Sequence, residues 1–129
     1  MIVLHDCKGQ ETLICAESIE VLTSLNNGGG IFVYLEDFEK PIKAFSMSQA
    51  IKDVEDALGR NLLKSKGWHY NNTITCEYDY LVPDKIKYVM PYNQDGYASK
   101  IIVSSGRCFL SKDTVEELHE QLDNISVVK

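Results

Sequence analysis

The sequence predicts an α+β fold, predominantly β, in which two tandem β-meander-plus-helix repeats pack into one domain. Short runs rich in β-branched and aromatic residues, such as "IFVYLEDF", are separated by turns containing Gly, Asn and Pro. Two later segments carry apolar residues at helical spacing. The stretch 80–96 also reproduces the apolar and acidic pattern of 13–29, with Ile86 standing 67 positions after Ile19. We therefore expect these two isoleucines to occupy equivalent buried positions.

The first repeat is predicted over residues 1–59. The segments "IVLHDC" and "TLIC" form a hairpin around a Gly-bearing turn, and "SIEVLTSL", "IFVYLEDF" and "IKAF" continue the meander. The turn "NNGGG" lies between two strands, so we interpret it as a hairpin tip and not as a phosphate-binding loop. A helix follows, with Ser46 and Gln49 in a capping-box pattern and Gly59 placed to end it.

A polar link is predicted over residues 60–72, and the second repeat over 73–124. "TITCEYDYLV" alternates apolar and polar residues as a half-buried strand does, and "IKYVMP", "KIIVSS" and "CFLS" complete a second meander. The closing helix is predicted to begin at Asp113, with Glu116 three positions later. Its apolar face carries Val115, Leu118 and Leu122.

Size and composition fit one soluble domain over residues 1–129. The chain has 44% hydrophobic and 25% charged residues, and no apolar run approaches the length of a membrane span. The first residues, "MIVLHDCKG", lack the basic start of a secretory signal, and the four cysteines form no C-x-x-C pair. We expect reduced thiols, a cytoplasmic location and no membrane partner.

The motifs of common catalytic centres are absent from the sequence. There is no G-x-S-x-G segment and no phosphate loop. His5 and Cys7 share one face of a strand, but no second pair of metal ligands accompanies them. We therefore expect a protein that is not an enzyme, with no catalytic residues, no metal and no cofactor.

The repeated frame resembles the LytTR family of bacterial DNA-binding domains, which are mostly β. "YLVPDKI", residues 80–86, resembles the end of that family's signature, and "FLSK", residues 109–112, resembles the segment leading into its last helix. The resemblance implies that Lys112 stands where an arginine often contacts phosphate. The family's R-x-H-R positions are occupied here by Thr75, Glu77 and Tyr78, so the resemblance implies the fold more directly than the activity.

Charge is distributed unevenly along the chain, whose formal net charge is −6. Residues 1–59 hold 4 basic and 10 acidic side chains, residues 60–112 hold 8 and 4, and residues 113–129 hold 1 and 5. If the domain binds double-stranded DNA, its contacts should come from the basic middle segment. The candidates are Lys85, Lys87, Arg107 and Lys112, with Asn71 and Asn72. The alternative is that these lysines and arginines are scattered solvated charges.

Two functions are compatible with these features. The resemblance implies a standalone DNA-binding transcriptional regulator from a bacterium or phage. The alternative is an acidic protein-interaction module, such as an inhibitor, immunity or phage accessory protein, which binds a basic protein partner through residues 1–59.

Overall fold

A computed structural model describes residues 1–5, 8–25, 30–44, 47–70 and 75–125. The fold is α+β and mostly β, with ten strands and two α-helices in the described residues. The strands are β1 (Ile2–His5), β2 (Glu11–Ile14), β3 (Ile19–Leu25), β4 (Ile31–Leu35), β5 (Ile42–Ala44), β6 (Leu63–Tyr70), β7 (Thr75–Leu81), β8 (Ile86–Gln94), β9 (Tyr97–Val103) and β10 (Cys108–Ser111). The helices are α1 (Met47–Leu58) and α2 (Val115–Asn124), and short 3₁₀ helices span Ala16–Ser18 and Pro83–Lys85.

The strands form three antiparallel sheets. A five-stranded sheet has the order β5-β4-β3-β7-β6, so β3 of the first half pairs with β7 of the second half. A three-stranded sheet has the order β10-β9-β8, and β1 and β2 form a separate hairpin. The predicted β-rich α+β class is therefore confirmed.

The central five-stranded sheet buries side chains on both faces. On β4, Ile31 and Val33 belong to a first core that also contains the β1–β2 hairpin and α1. Tyr34, on the opposite face of β4, packs against a second core formed with β8–β10 and α2. The β1–β2 hairpin and the three-stranded sheet thus lie against opposite faces of the central sheet.

Most of the segment predicted as a polar link, residues 60–72, forms a strand. Residues 63–70 form β6, which pairs with β7 along the edge of the central sheet. Leu63 and Ser65 are buried while Lys64 and Lys66 are exposed, so the segment has the period-two alternation of a half-buried strand. Because lysines occupy the exposed positions, the segment was interpreted from the sequence as a polar link.

The helix ends follow local sequence closely. Gly59 adopts φ 68° and its N–H donates to the Glu55 carbonyl, which confirms it as the end of α1. The N-cap of α2 was predicted one position early. Thr114, and not Asp113, is the N-cap, and it forms a capping box with Glu117. Ser46 and the tip residues 26–29 lie outside the described residues.

The two halves contain the same order of elements. Each runs through a hairpin, a 3₁₀ helix, three antiparallel strands and an α-helix. Ile19 follows the first 3₁₀ helix and is fully buried, whereas Ile86 follows the second and is only partly buried against the second core.

Candidate interaction site

A buried carboxylate joins the two halves of the chain. Glu20 lies at a β-bulge in β3, where the register with β4 shifts between Ile19 and Val21. A bulge re-aims a side chain, and Glu20 reaches the turn between β9 and β10. Its Oε2 accepts from Ser104 Oγ at 2.8 Å and from Ser105 N at 2.7 Å. Its Oε1 accepts from Ser105 Oγ at 2.7 Å and from Arg107 Nη1 at 2.9 Å.

These donors set the ionisation of Glu20. Burial raises the pKa of its carboxyl group, but the hydrogen bonds from Ser105, Ser104 and Arg107 together lower it by more. The pKa of Glu20 therefore lies below its ordinary value, and the side chain is a carboxylate at neutral pH. Its negative charge fixes the position of the Arg107 guanidinium.

Arg107 in turn holds the loop that follows β4. Its Nη1 donates to the Leu35 carbonyl at 2.7 Å, and its Nη2 donates to the Phe38 carbonyl. The guanidinium carbon lies 5.4 Å from the centre of the Tyr34 ring. We call residues 36–39 the acidic loop. One side chain from the other half of the chain thus binds the backbone directly before this loop, at Leu35, and within it, at Phe38.

A second ion pair continues this network. Lys85 Nζ lies 2.5 Å from Glu36 Oε1, and both side chains are partly buried. Ser104 Oγ donates to this same Glu36 oxygen at 3.2 Å as well as to Glu20. Two carboxylates from the first half are thus neutralised by two cations from the second half.

The acidic loop presents an aromatic ring between carboxylates. Phe38 is 60% exposed, and Asp37 and Glu39 on either side of it are exposed too. A cleft of about 390 Å³ lies beside the ring and is lined by Glu36, Asp37, Phe38, Glu39, Ser105 and Arg107. An exposed aromatic side chain next to charged groups, on a fixed loop, can serve as an anchor for another macromolecule.

The residues proposed for DNA contact are spread over several environments. Lys85 and Arg107 belong to the charge network just described. Lys87 is exposed on β8, and Lys112 is exposed directly after β10. Asn71 and Asn72 lie outside the described residues.

Three lysines lie at the junction of β6 and β10, and only one of them, Lys112, was singled out from the sequence. Lys64 and Lys66 are exposed on the same face of β6, and the Lys112 N–H donates to the Lys66 carbonyl. Lys64 Nζ lies 4.2 Å from the centre of the Tyr78 ring. We call Lys64, Lys66 and Lys112 the lysine group. The alternation of residues 63–67 was the available signal for its first two members.

Other candidate chemistry is sparse in the part of the chain that the structure describes. His5 lies 3.7 Å from Glu11 at the turn end of the β1–β2 hairpin, and His119 lies 3.5 Å from Asp123 on α2. Within the described ranges, no three His, Cys, Asp or Glu side chains come together as metal ligands would. Neither helix described is long and apolar enough to cross a membrane.

The chain was also compared with known proteins. No family model matches it, and no curated protein or solved structure matches it at a significant level.

Proposed function

We propose that the protein is a non-enzymatic binding module that engages a basic protein partner through the acidic loop. The observation that carries this proposal is the exposed Phe38 ring between Asp37 and Glu39, on a loop held by Arg107. The remaining structure supplies the scaffold for that loop.

The attachment by Arg107 matters for affinity. A loop that is already fixed loses less conformational entropy on binding, so more of its contact energy appears as affinity. A central aromatic residue commonly provides much of the binding energy at a protein interface. The neighbouring carboxylates and the net charge of −6 would attract a basic surface and speed the encounter.

Affinity capture with charge-matched variants tests this function. The wild-type protein should retain a specific partner from its native cells, and Phe38→Ala should reduce retention at least tenfold. The double variant Asp37→Lys with Glu39→Lys should abolish retention. The control, Glu116→Lys with Glu120→Lys, changes the charge equally on the exposed face of α2 and should retain the partner. Equal loss in both double variants would contradict a role for the acidic loop.

A second candidate function, DNA binding, is favoured by the lysine group. These three exposed side chains lie together at one edge of the central sheet, with Tyr78 beside Lys64. Such a group could contact successive phosphates and position the protein on a duplex. The two cations Lys85 and Arg107 offer less, because Glu36 and Glu20 already neutralise them.

Anisotropy titration with a random duplex at low salt tests this second function. Binding should weaken with salt by a logarithmic slope of about −0.9 for each phosphate neutralised. Changing all three members of the lysine group to Glu should abolish binding. The same change at Lys8, Lys40 and Lys43, which are exposed in the first half, should weaken it much less. Absence of binding by the folded wild type would exclude this function.

We also propose that the two halves are copies of one β-rich unit, as the resemblance to LytTR implies. The 3₁₀ helices Ala16–Ser18 and Pro83–Lys85 are followed by isoleucines with nearly equal backbone angles, φ −79° and ψ 130° against φ −78° and ψ 120°. A register shift follows each isoleucine, between Ile19 and Val21 and between Ile86 and Tyr88. The Glu36 N–H donates to Ser18 O, and the Ser104 N–H donates to Lys85 O at the corresponding place. These correspondences support the duplication.

A further inference from the structure

The proposed duplication makes β8 the counterpart of β3, yet the two strands have different neighbours. β3 pairs with β4 on one side and with β7 on the other. β8 pairs with β9 in the register that β3 has with β4, and it is the terminal strand of its sheet in the described residues. An edge strand presents unpaired N–H and C=O groups that can accept another strand.

The same correspondence identifies the missing neighbour. β7 precedes the second 3₁₀ helix as β2 precedes the first, so β2 is the counterpart of β7. β2 pairs only with β1 in the described residues, which leaves its other edge open. Within one chain the β1–β2 hairpin and β8 pack in different cores on opposite faces of the central sheet. The β2 that could reach β8 therefore belongs to another molecule.

We propose that the chain self-associates by adding β2 of a second copy to the edge of β8 that is unpaired in the described residues. This inference rests on the proposed duplication and is independent of the acidic loop. The resulting sheet, β10-β9-β8 extended by β2 and β1 of the second copy, would be the intermolecular counterpart of the five-stranded sheet within each chain. Reciprocal pairing at two such junctions closes a symmetric dimer.

The register follows from the pairs between β3 and β7. Val21 lies opposite Leu81, Leu22 opposite Tyr80, and Thr23 opposite Asp79. Adding 67 to each β3 position gives its counterpart on β8, and subtracting 67 from each β7 position gives its counterpart on β2. The intermolecular pairs are therefore Tyr88 with Ile14, Val89 with Leu13, and Met90 with Thr12.

The distribution of exposed apolar side chains is a second, independent observation. The described residues include six large hydrophobic side chains that are exposed. Two of them, Tyr88 and Met90, lie on β8, while Val3 and Leu13 lie opposite each other on the β1–β2 hairpin. In this register Leu13 and its neighbour Val3 lie on the same face of the extended sheet as Val89, while Tyr88 and Met90 lie on the other face beside Ile14 and Thr12. The new strand pair would therefore cover exposed apolar side chains on both of its faces and remove apolar surface from water.

Pro91 is compatible with strand addition at this edge. A proline has no N–H for a ladder, and its counterpart in β3 is Ser24. The β3–β7 register shifts at that point, between Thr23 and Leu25, and the Ser24 hydroxyl takes over the hydrogen bonds with the Tyr78 backbone at 3.1 and 3.2 Å. By analogy, the backbone of Pro91 is not needed for the proposed pairing of Val89 and Met90 with β2.

Sedimentation equilibrium over a concentration series tests the proposal. The wild type should shift from 14.6 kDa towards twice that mass, and Tyr88→Lys with Met90→Lys should raise the dissociation constant at least tenfold. Leu13→Lys, on the other strand of the junction, should do the same. Cys108→Lys adds the same charge at an exposed position on β10, two strands away from β8, and should leave the association unchanged. A wild type that is monomeric throughout, or an association that Leu13→Lys does not weaken, would overturn the proposal.

Hydrogen exchange on the wild type gives a test without substitutions. Peptides covering residues 11–15 and 86–91 should both become more protected as the protein concentration rises. Protection of only one of these segments would contradict pairing between β2 and β8. This experiment uses the wild type, in which the acidic loop is intact. A failure of self-association can therefore be distinguished from a failure of the proposed partner binding.

Discussion

Glu20 is a charged residue that the core accommodates because four donors satisfy its carboxylate. The donors come from residues 104–107, more than eighty positions away in the chain. The sequence therefore showed Glu20 only as one of the acidic residues of the first half. Pairing between residues so far apart leaves no periodic signal, so this part of the candidate site could not be predicted.

Replacing Glu20 with Gln should make stability less dependent on pH. The folded-state pKa of Glu20 is lowered, so its stabilising contribution is complete above the unfolded-state pKa of about 4.3. That contribution is lost as the pH falls through the folded-state pKa. We expect Glu20→Gln to be less stable than the wild type at neutral pH, with a difference that narrows in acid. Urea unfolding at a series of pH values measures it, and a difference that is constant down to pH about 2 would contradict the assignment.

Gly67 is required by a close approach within the interior. A Cβ atom at this position would lie 2.7 Å from Asp79 Oδ2 and 3.0 Å from the Leu110 carbonyl oxygen. Asp79 is fully buried and accepts a hydrogen bond from Thr23 Oγ1 at 2.8 Å. We expect Gly67→Ala to lower the free energy of unfolding by about 1–3 kcal/mol, because the core must shift. Lys66→Ala, at the exposed neighbouring position, should change it by less than about 0.5 kcal/mol; equal effects in urea unfolding would rule out the steric explanation.

At the scale of elements, periodicity located strands and helices better than it located their neighbours. The content of β-branched and aromatic residues identified β4, and local capping chemistry identified the end of α1 at Gly59. The strand β6 was missed because its exposed positions carry lysine, which resembles a polar link in one dimension. The pairing of β3 with β7 joins the two halves, and strand order of this kind depends on packing that no single segment encodes.

The counterpart positions Ile19 and Ile86 should differ in energetic weight. Ile19 is fully buried in the first core, and Ile19→Ala should cost about 2–5 kcal/mol. Ile86 is only partly buried against the second core, so Ile86→Ala should cost less, about 1–2 kcal/mol. Chemical denaturation of both variants provides the comparison. The comparison is made at low protein concentration, and a loss at Ile86 equal to or larger than that at Ile19 would contradict the difference in burial.

At the scale of the whole molecule, the uneven charge along the sequence has an internal explanation. Residues 1–59 are acidic and residues 60–112 are basic. In the part of the chain that the structure describes, two ion pairs connect these segments. Glu20 pairs with Arg107, and Glu36 pairs with Lys85. Part of the positive charge that suggested a nucleic-acid interface therefore balances carboxylates of the other half. The exposed carboxylates of the acidic loop remain available to a partner.

Site-specific photo-crosslinking at position 38 tests the proposed function most directly. The protein carrying a photoreactive phenylalanine analogue at Phe38 is irradiated in its native cells, and the crosslinked products are identified by mass spectrometry. The proposed function predicts one dominant protein adduct, which disappears when Asp37 and Glu39 are changed to Lys and persists when Glu116 and Glu120 are changed instead. The absence of a protein adduct, or an adduct that is insensitive to the charges beside Phe38, would contradict it.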